Sequence, residues 1–329
     1  MNLGSPRATL VGICVLALVD CGVAAAQGTA YPATAEVSDQ KAGSLLVYPL
    51  YTSSSSTPNF VNTLINITQT ADVPIATRIF LIQSTGTIRN RVICLSANAT
   101  QSFVATDVAP GELGYIVVVA VDANGCPIGA NTLIGDVSVK IAGPLASLTA
   151  YSFSALFAGT LSGCGPTSTT ANVNLDGVAY NRSPRTVAID KIRSNADGNN
   201  TILILTRVGG NLASGSIGPL GDVSGTLFNQ SGTAHPFSFN GAQPFRGQTL
   251  TSAFPLTAPI FPEVIPTGTI GWMKLAGDAD IGLLGQVIHF NDNVASDPNA
   301  FVGGHGLRTL TLTSAARFVI PVSPPGCFE

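Results

Sequence analysis

Short apolar runs rich in β-branched residues, each closed by Gly, Pro, Asn or Asp, recur along most of the chain and constrain its fold more than any other feature. They include "SLLVYPLY", "FVNTLINIT", "ATRIFLIQ", "RVICLS", "LGYIVVVAVD", "RTVAIDKI", "NTILILTRV", "VSGTLFNQ", "HPFSFN", "IGWMKLA", "LLGQVIHFN" and "LRTLTLTS". In the second of these, Leu64, Asn66 and Thr68 alternate with Thr63, Ile65 and Ile67, the period of two that sends successive side chains to opposite faces of a sheet. Asn124-Gly125 and Asp197-Gly198 supply the positive backbone angles of tight hairpins. Strands of this length and spacing predict an all-β chain of antiparallel β-sandwich architecture.

One stretch, "PLASLTAYSFSALF" at 144–157, fits a helix, because Leu145, Leu148, Phe153 and Leu156 fall near one helical stripe; a buried strand is the other reading. The Gly- and Thr-rich "AGTLSGCGPTSTT" that follows has the composition of a linker. The expectation is two sandwich domains, 41–165 and 166–329, with at most one short helix and no repeat of fixed period. The first 26 residues read as a signal peptide: Arg7, the apolar "TLVGICVLALV", then Ala24-Ala25-Ala26 as a cleavage site. Residues 27–40 would form a flexible N-terminus. A lipid anchor at Cys21 is disfavoured because Asp20 stands where a small residue belongs.

Only 10% of the residues are charged, against roughly 25% in an ordinary soluble protein, so Ser, Thr, Asn, Gln and Gly must cover the surface. A net charge of −3 with scattered Lys and Arg argues against nucleic acid as a partner. Later apolar runs fall short of the roughly 20 residues of a membrane-spanning helix. A membrane barrel is also disfavoured, since one Trp and six Tyr are too few for two aromatic girdles. The mature chain is thus expected to be secreted, periplasmic or attached to the cell surface.

Beyond the leader stand Cys94, Cys126, Cys164 and Cys327, and an exported chain is expected to join them as disulfides. The favoured pairing of the three available is Cys94 with Cys126 and Cys164 with Cys327, the first bracketing adjacent strands and the second fastening a Pro-rich tail. A metal site of these four lacks the Cys-x-x-Cys spacing.

Catalytic chemistry is sparse. The histidines are His235, His289 and His305, no Gly-x-Ser-x-Gly elbow accompanies them, and His235 precedes Pro236 in a turn. The densest polar cluster is C-terminal: Asp278, Asp280, His289, Asp292, Asp297 and His305. These types could hold Ca²⁺ or a transition metal, but turn-forming Asp and Asn explain them more simply. Glu36, Glu112 and Glu263 are the internal glutamates from which a glycosidase pair would be drawn. Tyr48, Tyr51, Tyr115, Tyr151, Tyr180 and Trp272 are expected in core or edge packing rather than as a sugar platform. The sequons at Asn66, Asn98, Asn199 and Asn229 are read as polar strand and turn residues, and "TRVGGNLASGSIG" as a hairpin connection rather than a phosphate loop. Catalytic, metal-ligating and cofactor-binding residues are therefore assigned to none, and no cofactor is expected.

Taken together, "GSLLVYPLYTS", "LINITQT", "VICLSANATQSF", "GYIVVVAVDANGCPI", "LIGDVSVKI", "VAYNRSPRTVAIDKI", "TRVGGNLA", "GWMKL" and "DIGLLG" resemble a group of uncharacterised exported bacterial proteins, from about Lys41 to Thr313. The resemblance implies a bacterial, exported, β-rich protein and lends no catalytic residues. The expected function is non-enzymatic: cell-surface adhesion, assembly or envelope scaffolding, with a surface protein or glycan as partner. The alternative is a secreted hydrolase, carbohydrate-active or metal-binding, using the C-terminal Asp/His cluster.

Overall fold

The computed structural model describes residues 37–141, 145–278, 281–291, 293, 300 and 302–327; the leader and most of the expected flexible N-terminus lie outside them. The described residues fall in one compact unit. Nine strands come first: β1 (Leu45–Thr52), β2 (Val61–Gln69), β3 (Ile75–Gln83), β4 (Ile88–Leu95), β5 (Thr100–Val104), β6 (Leu113–Val121), β7 (Leu133–Ile141), β8 (Leu145–Thr149) and β9 (Tyr151–Phe153). They build sheet I, in the order β4-β3-β6-β1-β9, and sheet II, in the order β5-β2-β7-β8.

The second half adds β10 (Thr170–Asn174), β11 (Ser183–Arg193), β12 (Asn199–Val208), β13 (Gly210–Asn211), β14 (Gly221–Phe228) and β15 (Ala234–Gly241). Then follow β16 (Phe245–Thr249), β17 (Ile270–Gly277), β18 (Gly282–Asn291), β19 (Gly303–Gly306), β20 (Arg308–Thr313) and β21 (Arg317–Pro321). Sheet III is β10-β21-β13, sheet IV is β15-β14-β17-β11-β20, and sheet V is β16-β12-β18-β19. Two single-turn helices, α1 (Ala105–Val108) and α2 (Phe261–Val264), complete the described elements with a short 3₁₀ turn at Asn195–Asp197.

The all-β class stands, with 4% helix, but the β-sandwich expectation is corrected: the strands separate into five hydrogen-bonded sheets, the blade number of a five-bladed β-propeller. Alternation along a strand reports which faces are wet and which are dry, not which strand lies alongside, so the sequence pattern leaves the grouping into sheets open. The sheets are not successive meanders. Strands interleave, with β1, β3, β4, β6 and β9 in sheet I and β2, β5, β7 and β8 in sheet II.

The same wiring is then used again. Replacing β1–β9 by β11, β12 and β14–β20, in chain order, turns the order of sheet I into that of sheet IV and the order of sheet II into that of sheet V. The repeat is one of topology, which is why no fixed period shows in the residues.

The helix read at 144–157 is corrected to two strands, β8 and β9. In β8 the exposed Leu145, Ser147 and Thr149 alternate with the buried Ala146 and Leu148, and the buried Ala150 carries the chain from sheet II to sheet I. Pro144 lies outside the described residues.

The four cysteines form two disulfides, but not with the expected partners. Cys94 joins Cys327 with a Cα–Cα distance of 5.5 Å, and Cys126 joins Cys164 at 5.8 Å. Cys94 on β4 and Val121 at the end of β6 face Ala76 of β3 from opposite sides. A whole strand thus separates Cys94 from the turn that holds Cys126, an offset of about 9.5 Å that no disulfide spans. The tail is fastened further by the buried Arg78, whose Nη2 donates to the carbonyl and the hydroxyl of Ser323, each at 2.8 Å.

Peptide mapping without reductant is expected to recover Cys94–Cys327 and Cys126–Cys164, and no Cys94–Cys126 peptide. The 38-residue separation of the second pair corresponds to about 4 kcal/mol on chain-entropy grounds. Cys126→Ser with Cys164→Ser is therefore expected to lower the unfolding free energy by about that amount, measured by denaturant titration.

Candidate functional site

Sheet V brings part of the C-terminal polar cluster together. His289 on β18 and His305 on β19 have ring centroids 5.7 Å apart. Their strands are paired, with Val287 opposite His305 and His289 opposite Gly303. The third participant comes from sheet IV: Asp190 on β11 places Oδ1 3.5 Å from His305 Nε2 and Oδ2 3.5 Å from Arg308 Nε. A cavity of about 320 Å³ opens here, lined also by Lys191, Arg193 and Asn199.

The two imidazoles are in different electrical settings. His305 Nδ1 lies 2.9 Å from the Gly306 carbonyl while Nε2 faces Asp190, so both nitrogens look onto oxygen acceptors. His289 is the more buried; its Nδ1 lies 3.1 Å from Thr201 Oγ1, and its Nε2 is buried without a hydrogen-bond partner. Burial first, then His305 and Arg193, lower its pKa to about 4; Asp190 pulls the other way, and Lys191 adds a lesser lowering. His289 is thus neutral over the physiological range.

Other members of the cluster go elsewhere. Asp278 follows β17 and lines a separate trough of about 730 Å³ on sheet IV, with Asp222, Asn240 and Arg185. Asp280, Asp292 and Asp297 lie outside the described residues. Among the described residues no three or more His, Cys, Asp or Glu are grouped to hold a metal ion. His235 stands on β15 of sheet IV, opposite Leu227, and not with the other histidines on sheet V.

The glutamates do not converge either. Glu112, before β6, pairs with Arg89 at 2.6 Å and accepts from the Tyr51 hydroxyl at 3.4 Å, whereas Glu263 sits in α2 beside the second hydrophobic core. Glu36 lies outside the described residues. Tyr48, Tyr51, Tyr115, Tyr151 and Tyr180 are buried, but Trp272 is 36% exposed on the outward side of β17. Asp190 and Asp222 were missed by the sequence reading. Each is one of many isolated strand carboxylates until the pairing of β11 and β14 is known.

Comparison of the chain with protein-family models, with curated proteins and with solved structures finds no match. No helix of the described residues is long and apolar enough to cross a membrane.

The depressed pKa of His289 carries a stability signature. The unfolded chain takes up a proton near pH 6.5 and the folded one only near 4, so His289 contributes stability above pH 6.5 that is lost as the pH falls toward 4. Full development of that difference corresponds to about 3 kcal/mol. Denaturant titrations between pH 7 and pH 4 are expected to show this decline, and His289→Asn to flatten it.

Proposed function

We propose that this is a non-enzymatic exported protein that works by surface contact, in adhesion, assembly or envelope scaffolding. The observation that carries the reading is the outward face of sheet II. Cross-strand register lines up Ser102, Asn66 and Asp136 there; Ser102 Oγ donates to Asn66 Oδ1 at 2.6 Å, and Asn66 Nδ2 donates to Asp136 Oδ2 at 2.9 Å. One row along, the hydroxyls of Thr68 and Thr100 bond at 2.7 Å, and on the other side Asn62 bonds to Thr106. Side chains tied in this way are already ordered, so a partner that docks on them forfeits little rotamer entropy.

Apolar side chains are interspersed on the same face. Leu64 is 39% exposed, Ile134 42% and Leu145 55%. Ordered polar groups around separated apolar contacts suit a wet, specific interface. Two disulfides support an oxidising compartment outside the cytosol.

The second reading, a secreted hydrolase, is favoured by one observation, the grouping of His289, His305 and Asp190 around one cavity, with His305 in contact with the carboxylate. The two readings part in one experiment. Purified protein is expected to co-sediment with bacterial envelope fractions, and Ile134→Arg with Leu145→Arg to release it at least about tenfold with unchanged melting, the scale of truncating one contact hot spot. Protein that stays soluble and monomeric, and turns over a glycoside or ester substrate in a manner lost in His305→Ala, would establish the hydrolase instead.

A further inference from the structure

We infer that the outward face of sheet IV is a binding site for a neutral oligosaccharide. The inference deepens the contact reading above and rests on it. Along β14 the residues that point outward are Asp222, Ser224, Thr226 and Phe228, and along β17 they are Ile270, Trp272, Lys274 and Ala276. Register places Phe228 opposite Trp272, Thr226 opposite Lys274 and Ser224 opposite Ala276. The face therefore changes character from end to end.

At one end the rings of Phe228 and Trp272 stack, with centroids 4.1 Å apart and planes 6° from parallel. Large aromatics are usually buried on average, yet Trp272 stands 36% exposed on a solvent-facing sheet. Stacking on Phe228 covers one face of the indole and holds it in place, and its exposed part presents a fixed apolar surface to water.

The other end is the trough of about 730 Å³. Ser224 and Ser238 are cross-strand partners there, as are Asp222 and Asn240. Asn240 Nδ2 donates to Asp222 Oδ1 at 2.7 Å. That bond fixes both groups while using one carboxylate oxygen and one amide hydrogen, so the pair still offers acceptors and a donor. Ser224 lies four residues from Phe228, which along a strand is about 14 Å.

A sugar ring has an apolar C–H face and a rim of hydroxyls that both donate and accept. An exposed indole meets the first requirement, and a trough of carboxylate, amide, hydroxyl and guanidinium groups meets the second. Two requirements met about 14 Å apart on one face fit an oligomer rather than a single sugar. Charge narrows the class: Asp222 and Asp278 are offset by Arg185 and Lys274, whereas a polyanionic ligand calls for clustered cations of one sign.

Trp272 is the chain's one tryptophan, so its fluorescence reports this site alone. The test titrates the full exported chain with tetramers of glucose, mannose, xylose and N-acetylglucosamine, following emission and heat. The expected result is a saturable emission change with at least one tetramer. By calorimetry, Trp272→Ala and Asp222→Ala should each weaken binding about tenfold or more, the scale of one stacking or hydrogen-bonding anchor. Trp272→Phe, which keeps a ring, should retain part of the affinity, and all three variants should melt with the parent.

Silence in both emission and heat for all four tetramers at millimolar concentration would overturn the proposal. Binding undiminished in Trp272→Ala would do so as well. Failure with every tetramer while the protein still co-sediments with envelopes removes the glycan site and leaves the contact reading standing; tetramer binding without co-sedimentation does the reverse.

Discussion

The paired middle of β12 and β18 in sheet V is buried on both sides, and the rest of the structure is arranged around that constraint. Ile204 of β12, Phe245 of β16, and Leu284 and Ile288 of β18 join the core of the first half. Leu203, Leu205, Leu283 and Val287, the alternate residues of the same strands, join the core shared with sheet IV. Where β12 and β18 are dry on both faces, over "LIL" at 203–205 and "GLLGQVI" at 282–288, they carry no charged side chain and a single glutamine, while the sheet's arginines, Arg207 and Arg246, stand near the end of β12 and on the edge strand β16. That glutamine is used: Gln286 Nε2 donates to the carbonyl of Thr149 at 2.8 Å across the joint between the halves.

The joint is finished by Tyr151, whose hydroxyl lies 2.7 Å from the Gly285 carbonyl and 3.0 Å from that of Leu307. Burial holds this hydroxyl far above its ordinary pKa, so it remains a donor at every pH the protein meets. Such close approach needs missing side chains on the facing strands. A Cβ on Gly306 would come within 2.6 Å of the Tyr151 hydroxyl, and one on Gly304 within 2.6 Å of Leu148 Cδ2. The glycines that flank His305 are therefore packing requirements. They also fix β19 against β18, and with it the distance between His305 and His289.

Much of the strand inventory was legible. "LGYIVVVAVD" contains β6, and "NTILILTRV" and "LLGQVIHFN" cover all but the first residue of β12 and of β18, because continuous or alternating apolar runs of that length have few other uses. The turns read at Gly125 and Gly198 have φ of 85° and 78°, although the second joins β11 of sheet IV to β12 of sheet V and closes no hairpin. What escaped was everything that depends on pairing. The expected Cys94–Cys126 bond is ruled out by β3 lying between β4 and β6, and the 144–157 segment is a pair of strands because Leu145–Thr149 has sheet II to join. The candidate sites show the same division: His289 and His305 could be named from composition, but Asp190 and Asp222 gain meaning only from the strands opposite them.

The return of the tail to the first half has a mechanical side. Cys327 is bonded to Cys94, 233 positions away in sequence, so all of sheets IV and V lie inside one covalent loop. A tensile force applied at the C-terminal end of the described chain passes through that bond into β4 and bypasses the second half. β4 is the edge strand of sheet I and hydrogen-bonds along its length to β3. Under load the second half would keep its shape while the first half bears the strain, and a ligand held on sheet IV would not feel the pull through the backbone.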